Sequence, residues 1–187
     1  MIVYDFDKTI FLGESSTSFY RFCIPHHPLI LLWLPVAGIF AFGKLLHLCD
    51  MTRLKEAFHG YLRAVPDAEI LVERFWDRMQ NRIAPWAKDK LPQGGLVITA
   101  SPEFLVSGLC QRLGLECLGT RMDIRTGRIE GRNCKGQEKP LRFRERYPDA
   151  EISEFYSDSL SDTPMARLSG KAYLVMGKQI KPWPDSE

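Results

Sequence analysis

Four aspartates stand in two tight clusters near opposite ends of the chain, Asp5 and Asp7 in one and Asp158 and Asp162 in the other. Each cluster follows an apolar, β-branched run that reads as a buried strand. A third such run ends at Thr99, and Lys139 opens a periodic helical segment between the second and third runs. Carboxylates brought to one spot repel one another unless a cation sits among them. Oxygen-only ligands select a hard ion, with Mg²⁺ ahead of any transition metal. A lysine beside such an ion suggests a phosphoryl group, whose own oxygens complete the ion's shell. One aspartate can then attack phosphorus while another moves a proton to the leaving oxygen and, later, from water. The D-x-D spacing suits this, because alternate residues of an extended chain face the same way.

Elements that position these groups can be read from periodicity. Residues 2–6 predict a first strand. Residues 15–84 then read as all-helical, with a helix starting at 15–23. Apolar positions Leu54, Ala57, Phe58, Tyr61, Leu62 and Val65 predict one amphipathic helix. Ala68, Leu71, Val72, Phe75, Trp76 and Met79 predict another, split from the first at Pro66. Residues 95–100 predict a second strand, followed by a helix with Ser101 at its N-cap and Pro102 at its first position. A hairpin about Arg125-Thr-Gly, a helix over 138–147, a strand over 152–157, a helix opened by Asp162 and Pro164, and a strand over 172–176 complete the pattern. Strands alternating with helices predict an α/β fold with a parallel sheet and a helical block inserted after the first strand. In open sheets of this kind, ligands bind beyond the carboxyl ends of the strands, where Asp5, Asp7, Thr99, Asp158 and Asp162 fall.

Composition removes several classes of function. A chain of 187 residues with 45% hydrophobic and 26% charged residues is ordinary for a globular domain. The net charge of +2 is too balanced for a nucleic-acid binder that works by overall charge. Residues 121–146 carry nine basic against four acidic residues and read as a solvated face. The five cysteines are odd in number and contain no C-x-x-C pair. They predict neither a disulfide framework nor a zinc ribbon, and free thiols favour a reducing cytoplasm. His26, His27, His47 and His59 lack metal-ligand spacing. No basic leader precedes Ile2, so no cleaved signal is predicted. The most apolar run, residues 28–43, is uncharged, holds two prolines and falls short of the roughly 20 residues of a spanning helix. It predicts two short buried helices, with a membrane-touching hairpin as the alternative.

With these residues in place, the sequence resembles the phosphatases of the haloacid dehalogenase superfamily, in the phosphoserine-phosphatase-like branch, subfamily IB. Four motifs appear in order: D-x-D-x-T at residues 5–9, the strand-end Thr99, the helix-opening Lys139 and the acidic motif at residues 158–162. The resemblance implies a Rossmann-like core over residues 1–14 and 85–187, with a helical cap over 15–84 that sets specificity. It implies Asp5 as nucleophile and Mg²⁺ ligand, and Asp7 as general acid/base with its carbonyl on the metal. Thr99 and Ala100 would meet the phosphoryl group, and Lys139 would neutralise it. Asp158 would ligate Mg²⁺. Asp162 would hold the metal's waters or orient Lys139. Glu14 and Ser161 are implied as substrate contacts, Glu14 by gripping an amine. Lys135 competes with Lys139 for the phosphate. Arg21, Arg53 and Lys55 are further cap candidates that the sequence does not rank.

The sequence also departs from the pattern. Lys8 stands where many members carry Gly or Ser, and the acidic motif Ser-Asp-Ser-Leu-Ser-Asp lacks the glycines and asparagine common in phosphoserine phosphatases. The resemblance implies a small soluble, phosphoserine-like substrate. The alternative is a lipid phosphate, because phosphatidylglycerophosphate phosphatases of this branch share a long apolar stretch in the cap and a Tyr-Ser-Asp-Ser motif, here residues 156–159. Two further rivals are a dehalogenase, which would not need Asp7 or the acidic cluster, and a non-catalytic phosphate-binding module.

Overall fold

The computed structural model describes residues 1–91 and 94–184. Six strands form one sheet in the order β3-β2-β1-β4-β5-β6. They are β1 (Ile2–Tyr4), β2 (Leu96–Pro102), β3 (Glu116–Thr120), β4 (Ile152–Ser157), β5 (Ser169–Met176) and β6 (Gln179–Pro182). The first five run parallel, and β6 returns antiparallel along β5. β1 lies at the centre, with Val3 opposite Leu96 on one side and Phe155 on the other. Period-two alternation sends side chains to two cores. Val3, Leu96, Ile98 and Phe155 pack on one face, with Phe143 and Met165 from the helices α7 (Glu138–Arg146) and α8 (Thr163–Ala166). Tyr4, Val97 and Tyr156 pack on the other.

That second face is covered by α6 (Glu103–Arg112) and by part of the helical block between β1 and β2. The block comprises α1 (Ser15–Cys23), α2 (Leu34–Leu45), α3 (Met51–His59), α4 (Ala68–Met79) and α5 (Pro85–Lys90), with short 3-10 turns at Pro28–Trp33, Gly60–Ala64 and Gln80–Arg82; α2 takes no part in this core. The apolar positions of α4 behave as their spacing predicts, since Leu71, Val72, Phe75 and Trp76 are all buried. Trp76 donates its indole N–H to the Leu105 carbonyl at 2.5 Å and so fastens α4 to α6.

Several expectations need correction. β1 ends at Tyr4 rather than residue 6, although the Asp5 N–H still reaches the Tyr156 carbonyl at 2.8 Å. β2 runs on to Pro102, so α6 begins at Glu103 and Ser101 does not cap it. The hairpin about Arg125 is a single antiparallel bridge between Met122 and Ile129, not two strands. β5 starts three residues early, and β6 is additional; its exposed Gln-Ile-Lys-Pro has no alternation to read. The largest correction concerns residues 28–43. They form a 3-10 turn and α2, but α2 buries no residue and Ile30 alone is buried in the turn. The run is therefore not the interior of the helical block. An uncharged sequence reports solvent preference; it does not report whether a partner surface exists.

Candidate active site

The carboxyl ends of β1, β2 and β4 meet in one cavity of about 690 Å³. Asp5, Asp7, Glu14, Thr99, Ala100, Lys139, Asp158, Ser161 and Asp162 all line it, as does the rival lysine, Lys135. Arg21 and Arg53 do not. A similar cavity of about 730 Å³ near Lys88 and Arg112 has no carboxylate in its lining.

The floor is built around Lys139. Its ammonium is buried and donates to Asp5 Oδ1 at 2.7 Å and to Asp162 Oδ2 at 2.6 Å. Ser157 Oγ adds a third bond, to Asp162 Oδ2 at 2.8 Å. Burial works against the lysine's charge, but Asp5 and Asp162 outweigh it and hold its pKa raised. Burial also raises Asp5; Lys139 opposes the rise, and Asp162 and Asp7 reinforce it. Two buried acids thus share one buried base. Of the two roles implied for Asp162, the contact to Lys139 is the one with a hydrogen bond in the structure.

Asp7 is held elsewhere. Its Oδ1 accepts the Ser15 N–H at 2.8 Å, and its Oδ2 accepts Ser101 Oγ at 2.5 Å and Ser15 Oγ at 3.0 Å. It therefore bridges the start of α1 to the end of β2, and satisfies a backbone donor in the first turn of α1 that Glu14 leaves uncapped. Burial raises its pKa against these hydrogen bonds. The loop between Asp7 and α1 is tight. Phe6 O accepts from Thr9, Ile10 and Phe11, and Lys8 adopts φ 58°, a left-handed conformation that favours glycine. The departure at Lys8 thus falls on a strained position. Its ammonium pairs with Glu14, so Glu14 already has a cationic partner.

Thr9 Oγ1 accepts the Asp158 N–H at 2.9 Å and ties the first motif to the last. Burial raises Asp158 too, and among the described residues no side chain donates a hydrogen bond to its carboxylate. Thr99 is buried, and its hydroxyl accepts the Ser101 N–H at 3.1 Å, leaving its proton to donate. The Ala100 carbonyl is taken by Lys55 Nζ at 2.8 Å and Thr120 Oγ1 at 2.7 Å. The Ser161 hydroxyl is exposed and pairs with Ser159 Oγ at 2.9 Å.

Among the described residues no three His, Cys, Asp or Glu side chains group closely enough to hold an ion by themselves. That fits Mg²⁺ poorly as an all-protein cage. It fits the usual mode, in which one or two carboxylates share the ion with waters and phosphate oxygens. Asp5 and Asp158, which line the same cavity, would supply such a pair. Both are raised by burial and by neighbouring carboxylates, a strain that a divalent cation would relieve.

The sequence did not rank the groups on the rim. Lys55 also donates to Asn133 Oδ1 at 2.7 Å. Its partners are neutral, and burial and Lys135 lower its pKa to about 8. His59 is buried, bonded through Nδ1 to the Lys55 carbonyl at 2.8 Å and through Nε2 to Ser16 Oγ at 3.2 Å, and burial lowers it to about 4. Glu56 Oε1 accepts the Ile129 N–H at 2.9 Å, and Gly127 (φ 71°) leaves no room for a Cβ against the His59 carbonyl. α3 is thereby docked on the bridge at residues 122–129. Ser15 and Ser101 were missed as holders of Asp7; the signal available for Ser101 was its position two residues past Thr99.

A doubly wound α/β sheet with its polar cavity beyond the strand ends is the class that fold and cavity define. Within that class the chain belongs to the haloacid dehalogenase-like hydrolases, whose family model matches residues 2–167. It is 30% identical to the CicA protein of Caulobacter vibrioides, over 94% of this chain and 86% of that protein. A protein of unknown function from Bordetella pertussis Tohama I shares the fold with a TM-score of 0.73 and 18% identity, covering 92% of this chain and 87% of that one. A phospho-aspartyl intermediate analogue of phosphoserine phosphatase shares it with a TM-score of 0.62 and 16% identity, covering 91% and 83%.

Proposed function

We propose that this protein is a Mg²⁺-dependent phosphomonoester hydrolase that works through an aspartyl-phosphate on Asp5. The observation that carries the proposal is the buried ammonium of Lys139 fixed between Asp5 and Asp162. A carboxylate held against a cation in a buried cavity is prepared for an anionic electrophile, and the lysine offsets the charge that attack would concentrate there. Neither a dehalogenase nor a passive phosphate binder needs Asp7 and Asp158 in the same cavity. The likeness to a phospho-aspartyl analogue of phosphoserine phosphatase supports the same chemistry.

In the first half-reaction an Asp5 oxygen attacks phosphorus and the bond to the leaving oxygen breaks. Asp7 gives that oxygen a proton. Thr99 donates a hydrogen bond from its hydroxyl to a phosphoryl oxygen, and Lys139 balances the charge. In the second half-reaction Asp7 takes a proton from water, the water oxygen attacks phosphorus, and the Asp5–phosphorus bond breaks to release phosphate. Mg²⁺, held by Asp5 and Asp158, would supply Lewis-acid neutralisation of the phosphoryl oxygens. The helices over residues 15–84 act as the specificity cap on a core of residues 1–14 and 85–187.

Support for a small soluble substrate is weaker than the sequence implied. It rested on packing residues 28–43 inside the cap, and on Glu14 being free to grip an amine; α2 is exposed and Glu14 is paired with Lys8.

The test is hydrolysis of p-nitrophenyl phosphate with Mg²⁺ and with excess chelator. Activity that survives the chelator refutes the metal dependence. Beryllium fluoride is expected to label Asp5, also in Asp7→Asn; a label on Asp7 would reverse the two roles. Asp158→Ala is expected to weaken Mg²⁺ affinity more than Asp162→Ala, since Asp162 already serves Lys139.

A further inference from the structure

The loop from β1 to α1 places an ion pair in the wall of the cavity. Lys8 and Glu14 both line it, each about half-exposed, and their side chains meet there. The backbone holds them side by side, because the Lys8 N–H donates to the Gly13 carbonyl at 3.0 Å and closes the loop between them. Stability does not account for the pair, since an ion pair open to solvent adds little. Lys8 also keeps a φ of 58°, which glycine would adopt without strain. Strain of this kind gathers at active sites and ligand clamps. Glu14 has no other task in the loop, for its carboxylate caps no N–H of α1.

The surroundings decide what the pair does to a ligand. Glu14 is the acid that a substrate ammonium would seek, and Lys8 already supplies it with one. Asp5, Asp7, Asp158 and Asp162 belong to the phosphoryl end of the proposed reaction. The rest of the wall has no anion to offer. Leu34, Ala37, Gly38 and Ala41 of α2, with Leu54 and Phe58 of α3, give it an apolar side. Lys55 and Lys135 line it too, and among the described residues neither is paired with a carboxylate. A diffusing amine would also have to displace a partner fixed to the same loop, whose effective concentration on so short a tether is on the order of millimolar.

We propose that Lys8 is a specificity-determining residue. It occupies Glu14 as a built-in ammonium, and so selects phosphomonoesters whose organic part carries no amine. The inference rests on the phosphatase proposal for the bond cleaved at Asp5; the selection itself is a matter of binding. Phosphate esters of amino alcohols, phosphoserine among them, are disfavoured, and esters of amine-free alcohols are favoured.

The test is calorimetric binding, with Mg²⁺ present, of two phosphonates that have no ester bond to cleave. Butylphosphonate and 3-aminopropylphosphonate are equal in length and end in a methyl and an ammonium. The wild type is expected to bind butylphosphonate at least ~10-fold more tightly. Lys8→Gly, whose glycine accepts the left-handed backbone, is expected to free Glu14 and shift that ratio at least ~10-fold toward the amine. Adding Glu14→Gln is expected to cancel the shift. Equal affinities in the wild type overturn the selection and need no variant to fold. An unchanged ratio in Lys8→Gly overturns it too, as does failure of the wild type to bind either phosphonate. Hydrolysis of p-nitrophenyl phosphate by the same wild-type protein separates the two proposals. Hydrolysis with equal affinities removes the selection alone, whereas the expected ratios without hydrolysis uphold the selection and remove the phosphatase proposal.

Discussion

The floor and the α2 wall of the same cavity are held in opposite ways. On the floor, Asp5, Lys139 and Asp162 are buried and joined by side-chain hydrogen bonds of 2.6–2.7 Å. α2 has no buried residue and rests chiefly against α3 and the turn before it. α3, next to α2 along the chain, shows that the difference is not one of secondary structure, since its Lys55, Glu56 and His59 all bond to other elements or turns. A floor with one permitted geometry suits chemistry common to many substrates. A wall with no buried residue suits the part that meets one substrate.

The contrast breaks most sharply at Asp5. Asp5→Asn is expected to lower kcat for p-nitrophenyl phosphate by at least ~10³-fold, because a neutral amide is not a nucleophile here. Wild-type turnover by this variant would move the chemistry off the floor. Lys139→Met comes next. It leaves two buried carboxylates without their cation and is expected to destabilise by about 3–5 kcal/mol in urea unfolding. Adding Asp162→Asn to it is expected to recover part of that loss, and full additivity would deny that the three groups form one unit.

How much of this was legible in the sequence follows the same division. The strand-end acids, Thr99 and Lys139 were readable because each sits at a change of period that fixes its place in the fold. Asp7's holders were not, since Ser15 and Ser101 meet only once the sheet has formed. The exposure of α2 was misread because hydropathy counts apolar side chains without counting surfaces to pack them on.

His59 sharpens the comparison on the side of α3. Burial lowers its pKa from the ordinary 6.5 to about 4. Between those values the unfolded chain binds a proton that the folded protein does not, so stability falls as pH falls through that window and is fully present above it. The effect is on the order of a few kcal/mol, and urea midpoints of the wild type and His59→Gln from pH 7 to pH 4 check it. Equal pH slopes in the two proteins would mean that His59 is hydrated. The smallest effect belongs to the outer face of α2. Ile39→Ser is expected to change stability by no more than about 0.5 kcal/mol, as an exposed site should. A loss like that of a core residue such as Phe75 would show that the wall is packed after all.

Asp7 lies across the seam between α1 and β2, with its partners divided between the two. Any displacement of α1 from β2 takes away either Ser15 or Ser101 and turns the acid loose. In the proposed reaction the group that moves the proton would therefore also be a clutch between the helices and the sheet. Proton transfer would be engaged while the seam is shut and would slip when it opens, tying the timing of chemistry to the position of α1.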